Sequence, residues 1–259
     1  MSQLSNAGSI TVIVSGAKGK MGREVVAAIN AEDDLTLVAE VDAGDSLADA
    51  IAETRAMVVV DFTGPESALS NTETILQAGA VPIVGTTGFL PADIERVDAL
   101  CRELGRGALI APNFAIGALL MMRFAKEAAR FMPDVEIIEM HGGAKLDAPS
   151  GTAAKTAEMI AEGRGDVQPA PLPTGAVEKI IGSRGGKAAG DVPVHSVRLT
   201  GFVASQMVIF GGLGQTLTIR HDSIDRKSFM PGVVLAVRQA PALASNGGKL
   251  IYGLENLIF

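Results

Sequence analysis

The chain has 259 residues, of which 47% are hydrophobic and 20% charged, and 22 Lys and Arg against 29 Asp and Glu leave a net charge of −7. That is the composition of a globular protein long enough to bury a large core in one or two domains. The acidic balance argues against a nucleic-acid or anionic-membrane surface, which needs clustered Lys and Arg, and no Trp with a single Tyr removes the stacking platform of a single-strand binder, so no nucleic-acid partner is expected.

The opening residues MSQLSNAGS carry no basic run and lead into ITVIV, which is strand-sized, not the core of a signal peptide. The apolar stretch AIGALLMM stops at Arg123, well short of the roughly 20 residues that span a bilayer, so no membrane association is expected. Cys101 has no second cysteine to pair with, and His141, His195 and His221 are too far apart for a spaced metal site, so the expectation is a cytoplasmic protein without a metal.

From residue 10 to 111 short apolar runs alternate with helix-length segments. Strands are predicted at 10–15, 35–41, 57–62, 81–84 and 108–111, with helices at 21–31, 66–78 and 91–104. This alternation marks βαβ units, and hence a Rossmann-like, doubly wound parallel sheet of the α/β class. After Asn113 the rhythm changes to a helix over 116–131, a strand over 135–140, a Gly/Pro-punctuated loop and a helix over 152–162. The stretch 163–190 is crowded with Gly and Pro and reads as loop, with a short ordered piece allowed at 176–181. Strands at 194–199, 205–210 and 215–220 then predict a mixed, mostly antiparallel sheet, hence a second, α+β domain. A last helix over 232–244 precedes the tail LIYGLENLIF, and the pattern alone leaves open whether these pack on the first domain.

The first strand runs directly into GAKGKMG, so Gly16, Ala17, Lys18, Gly19, Lys20 and Met21 lie at the mouth of a helix, with Gly22 closing the motif. Glycine is wanted where a chain turns sharply and where a pyrophosphate approaches the main chain, and the helix N-terminus offers amides to that anion. Twenty residues after Gly22, at the end of the second strand, stands Asp42, where a dinucleotide fold places the acid that binds the adenosine ribose hydroxyls. Ala43 follows it, with no Arg to receive a 2′-phosphate, so NADH is favoured, while Lys18, Lys20 and Arg23 keep NADPH open. The loops Phe62-Thr63-Gly64, Gly85-Thr86-Thr87-Gly88 and Ala111-Pro112-Asn113-Phe114 end the next three strands, where ligands of open α/β sheets bind. Asn113 there suits either a carboxamide contact or a plain helix cap.

The segment EIIEMHGGAKLDAPSGTA sets His141 and Lys145 four apart in a stretch too rich in Gly and Pro to be helical. An imidazole there can supply a proton, and a lysine can anchor a carboxylate or donate a proton itself. Beyond them Ser150-Gly151-Thr152 opens a helix whose amides form an anion site, so together these residues outline a pocket for a small carboxylate. His195 and His221 fall in predicted strands and read as structural.

The segments GAKGKMG, DFTGPES, GTTGF, APNFAIG, EMHGGAKLDAPSGTA, HSVRLTGFVASQ and IRHDSIDRKSF together resemble the 4-hydroxy-tetrahydrodipicolinate (dihydrodipicolinate) reductase family of the diaminopimelate route to lysine, over nearly the whole chain. The resemblance implies reduction of a cyclic dicarboxylate by NADH or NADPH in a homotetramer assembled through the second domain's sheet. It implies a dinucleotide-binding domain at 1–114, to which 231–259 returns, and a substrate-binding and oligomerisation domain at 115–230. By position, His141 matches the family's proton donor and Lys145 its second catalytic residue, while Gly151 and Thr152 match contacts to the substrate carboxylate. Gly16 to Met21, Asp42, Gly85 to Thr87 and Ala111 to Phe114 match cofactor contacts. One departure is Gly142, where the family usually has a second His that touches the substrate. That departure keeps two alternatives in view: a related reductase acting on another imine or keto acid, and a catalytically silent dinucleotide sensor.

Overall fold

The computed structural model describes residues 9–259, which cluster into two compact units: residues up to Phe114 together with Phe229–Phe259, and Ala115–Ser228. The first unit opens with β1 (Ile10–Ser15), α1 (Lys20–Asn30), β2 (Leu35–Val41), α2 (Leu47–Thr54), β3 (Val58–Asp61), α3 (Pro65–Gln77), β4 (Val81–Val84), α4 (Pro91–Leu104) and β5 (Ala108–Ile110). The second holds α5 (Ile116–Ala129), β6 (Asp134–His141), α6 (Gly151–Arg164), β7 (Gly186–Lys187), β8 (Pro193–Arg198), β9 (Ala204–Gly212) and β10 (Gln215–Ser223). The chain returns to the first unit with α7 (Met230–Arg238), α8 (Ala240–Ala244), β11 (Leu250–Tyr252) and α9 (Glu255–Ile258).

Six parallel strands in the order β11-β5-β4-β3-β1-β2 form the first sheet. Val12, Ile13, Val14, Val58, Val59 and Val60 are fully buried, which in a sheet requires cover on both faces and explains why these strands read as unbroken apolar runs. The helices supply that cover. Ile75 of α3 joins a cluster with Ile13, Val59 and Ile51, while Val97 and Cys101 of α4 pack with Val84 and Ile110 in another. Each such fully buried Val or Ile contributes about 1.5–3 kcal/mol.

Sequence periodicity missed α2, a helix of eight residues that buries only Leu47 and Ile51. Its start is nonetheless marked, since Ser46 accepts the Asp49 amide. Periodicity also missed β11, whose three residues pair in parallel with β5 across more than a hundred positions of sequence. The single helix expected at 232–244 is two, because Pro241 lacks the amide that would carry α7 onward; the break falls at Gln239. The returning segment is tied down by Arg238, whose guanidinium donates to both carboxylate oxygens of Asp34 at 2.7 Å and to Glu32 at 2.6 Å.

The second unit is a five-stranded mixed sheet in the order β10-β9-β6-β8-β7, antiparallel except for the β6–β8 pair. The pairing of α5 with α6 covers one face, where Val135, Ile137, Val208 and Phe210 are buried. Strands β9 and β10 run longer than the apolar pattern suggests, since at a half-covered sheet polar residues continue the ladder at no cost. Over 176–181 there is no helix or strand, so the short element allowed there is absent. The loop after α6 is pinned instead by the buried Arg164, whose guanidinium donates to the Gly190 and Pro133 carbonyls at 2.8 and 2.7 Å. Among the described residues, no helix is long and apolar enough to cross a membrane.

Candidate active site

In the first sheet the strand order reverses between β1 and β3, so a crevice opens at their C-terminal ends. The glycine loop sits there under tight constraint. Gly16 has φ +79°, and a Cβ on it would lie 2.6 Å from the Phe62 carbonyl oxygen; a Cβ on Gly22 would lie 2.0 Å from the Gly16 carbonyl oxygen. Gly19 begins α1 without a side-chain cap, which leaves the first-turn amides, those of Lys20 and Met21 among them, for an anion. Asp42 accepts the Lys18 amide at 2.7 Å and the Ala43 amide at 2.9 Å. The amides of Ala43 and Lys18 hold its carboxyl below the usual carboxylate range, so it is ionised at neutral pH. A cradle that any Cβ would fill, uncapped amides and a fixed acid on the neighbouring strand fit a dinucleotide.

The remaining cofactor candidates are organised by a residue that the sequence reading passed over. Asp61, at the end of β3, is fully buried; one oxygen accepts the hydroxyls of Thr63 and Thr86 at 2.8 and 2.7 Å, the other the Asn71 amide at 2.9 Å. The Thr86 hydroxyl therefore faces inward, while Thr87 is exposed. Gly85 lies beneath the Phe62 ring, where a Cβ would come within 2.1 Å of a ring carbon. Phe62 in turn packs on Phe114 at 5.8 Å between ring centres. Ala111 continues from β5, its amide donating to Val84 at 2.9 Å, and Pro112 and Asn113 carry the chain on to Phe114.

In the second unit, the alternation of β6 puts Glu139 and His141 on the same face as the core residues Val135 and Ile137. His141 is the last residue of this strand, one position beyond the predicted end and not in the loop. Its Nδ1 lies 2.5 Å from an oxygen of Glu139. Glu139 has no exposed surface and also accepts both terminal nitrogens of Arg198, at 2.9 and 2.7 Å, and the Ser150 amide at 3.3 Å. Burial alone would raise its pKa, but the bonds from Arg198, Ser196 and His141 outweigh that and hold it below the usual range. Arg198 also donates to the Asp147 carbonyl at 2.6 Å. One buried carboxylate and its arginine thus fasten the strand end, the following loop and the start of α6.

Lys145 lies in that loop, its ammonium 2.7 Å from Asp147, and this partner holds the Asp147 carboxyl below its usual range. Ser150 caps α6 by accepting the Ala153 amide at 3.2 Å, and Gly151 and Thr152 open the helix. Open space surrounds the position of a Cβ on Gly151. His195 lies 2.9 Å from Glu136, and the His221 ring packs where a Cβ on Gly117 would come within 2.6 Å.

Two family profiles cover the chain, one described as "Dihydrodipicolinate reductase, N-terminus" over residues 10–114, the other as "Dihydrodipicolinate reductase, C-terminus" over 117–258. The chain belongs to the dihydrodipicolinate reductase family. The 4-hydroxy-tetrahydrodipicolinate reductase of Desulfitobacterium hafniense is 52% identical, aligned over 96% of this chain and 98% of its own. The same-named protein of Coxiella burnetii is 48% identical over 96% of this chain and 100% of its own. Among solved structures, the dipicolinate-bound dihydrodipicolinate reductase of a Paenisporosarcina species has a TM-score of 0.84 at 39% identity, covering 96% of this chain and 100% of that one.

Membership in this reductase family supports a nicotinamide dinucleotide as the cofactor. At Gly142, where the family resemblance leads one to expect a second histidine, a Cβ would stand 3.2 Å from the Phe202 carbonyl oxygen, so a side chain there requires its neighbour to give way slightly. Glu139, Arg198 and Asp61 carry the geometry without having been singled out by motif.

Proposed function

We propose that the chain reduces 4-hydroxy-tetrahydrodipicolinate to tetrahydrodipicolinate with loss of water, consuming NADH or NADPH, in the diaminopimelate route to lysine. The observation that carries this reading is the grouping of His141, Lys145 and the α6 N-terminus around one buried ion pair, Glu139 with Arg198. The first-turn amides at Gly151 and Thr152 receive one substrate carboxylate, and the Lys145 ammonium, once exchanged from Asp147, serves as its counter-charge. His141 and Lys145 deliver the ring proton. A bound reduced nicotinamide supplies the hydride. On the first unit, Gly16 to Met21 hold the pyrophosphate, Asp42 the adenosine ribose, and Gly85 to Thr87 with Ala111 to Phe114 the nicotinamide end.

NADH is the favoured nucleotide, because an ionised Asp42 repels a 2′-phosphate and Ala43 offers no cation; the exposed Lys18 and Lys20 are what NADPH would use. A homotetramer fits the second sheet, whose face opposite α5 and α6 presents the partly exposed Ile138, Val197, Met207 and Ile209. The free, buried Cys101, its thiol pushed up to about 11 by burial, suits a reducing cytoplasm.

The test supplies the purified protein with the aldol product of pyruvate and aspartate semialdehyde and follows nicotinamide absorbance with each nucleotide. Oxidation with kcat/KM higher for NADH supports both parts of the reading. Oxidation only with another imine or keto acid would favour the altered pocket that Gly142 suggests, and none with any substrate would reject a reductase.

A further inference from the structure

Lys145 and His141 are where motif reading points, but the geometry around them is set by Glu139. An ionised carboxylate can only accept hydrogen bonds. Glu139 is fully buried and receives two parallel bonds from Arg198, an arrangement that fixes the plane of the carboxylate as well as its charge. The His141 Nδ1 atom is 2.5 Å from the oxygen Oε2 and must therefore be the protonated nitrogen of the ring. Neighbouring polar groups have partners of their own: Lys145 pairs with Asp147, and the amide nitrogen of Gln206, opposite Glu139 on β9, donates to Thr156 at 2.8 Å.

We propose that Glu139, braced by Arg198, is a positioning residue for the reduction: it keeps a proton on His141 Nδ1, so that Nε2 is the nitrogen that takes up a second proton, making the ring an imidazolium, and gives it to substrate. This rests on His141 being the proton donor of the proposed reaction. Arg198 acts at one remove. Its second bond, to the Asp147 carbonyl, also sets the loop that bears Lys145, so the two groups that serve the substrate are registered against one another through a single buried ion pair.

The deciding variant is Glu139→Gln, which keeps size and removes the charge. A carboxamide has one acceptor oxygen, which the two Arg198 donors and the Ser150 amide claim, so its NH2 turns to His141 and Nδ1 must become an acceptor. The ring tautomer inverts. Because the protein has only three histidines, 15N-labelled imidazoles give a spectrum simple enough to assign. In the unaltered protein, one histidine is expected to show a protonated Nδ1 with a low-field proton, and Glu139→Gln to move that proton to Nε2. In turnover, kcat should fall about 10- to 100-fold, within the range of general acid catalysis, while KM for nucleotide and substrate changes less than about 3-fold. Arg198→Lys, which keeps the charge but loses the two-point grip, should give a smaller loss of kcat in the same direction and guards against a Gln variant that does not fold.

An unchanged tautomer in Glu139→Gln, or kcat and KM deteriorating together with melting temperature in both variants, would overturn the proposal and make the pair a structural strap. If the unaltered protein shows the expected imidazole signature but does not reduce the proposed substrate, the assigned reaction fails while the Glu139 constraint on His141 stands.

Discussion

Lys145 reaches Asp147 at 2.7 Å, but the aspartate side chain is 59% exposed, so the pair is worth well under 1 kcal/mol and yields readily to a substrate carboxylate. Lys145→Ala should therefore cost little stability. Turnover is expected to fall about 100-fold, as for loss of a group acting in proton transfer, while nucleotide affinity stays within about 2-fold by titration; equal loss of both would mark the residue as structural. His141 and Lys145 were legible as candidates from their spacing and from the Gly-rich stretch between them. Glu139 was legible only in principle. Glu136 and Glu139 look alike in EIIEMH, yet strand alternation separates them: Glu136 is partly exposed and meets His195 and Arg184, while Glu139 falls on the core face. An acid on a core face is the signal that a period-two reading offers, and nothing local marks Arg198 as its partner.

At the scale of elements, the passage from β1 through the glycine loop into α1 is tightly packed against backbone. Gly22→Ala would drive a methyl into the Gly16 carbonyl oxygen, which backbone cannot evade as a side chain could. A loss of about 2–3 kcal/mol in denaturant unfolding is expected, together with weaker nucleotide binding, because the α1 amides shift. Full stability with normal nucleotide affinity would show that the loop can relax. The strands and long helices of this unit were legible because burial on both faces forces unbroken apolar runs. Short elements were not: α2 buries two side chains, too few to set a period, and β11 is a strand only because β5 offers it an open edge.

For the whole molecule, the partly exposed apolar residues on the face of the second sheet opposite α5 and α6 bear on assembly. Light scattering should give about four times the chain mass of 26.6 kDa. Ile209→Glu, which puts a charge at the centre of that face opposite Glu136, should shift the protein to smaller species; a monomer in the unaltered protein would remove the tetramer from the proposal. The fold class and the family were legible in the chain alone, which also marked the glycine loop and the His141 and Lys145 pair as candidates, because each depends on residues close enough in sequence for spacing to encode geometry. The folded chain was needed to see which carboxylates organise the candidate sites, how the C-terminal segment completes the first sheet, and where α7 gives way to α8. Asp61 and Glu139 acquire their roles from partners up to 59 positions away, and an interaction closed by the fold leaves no periodic trace in the chain that makes it.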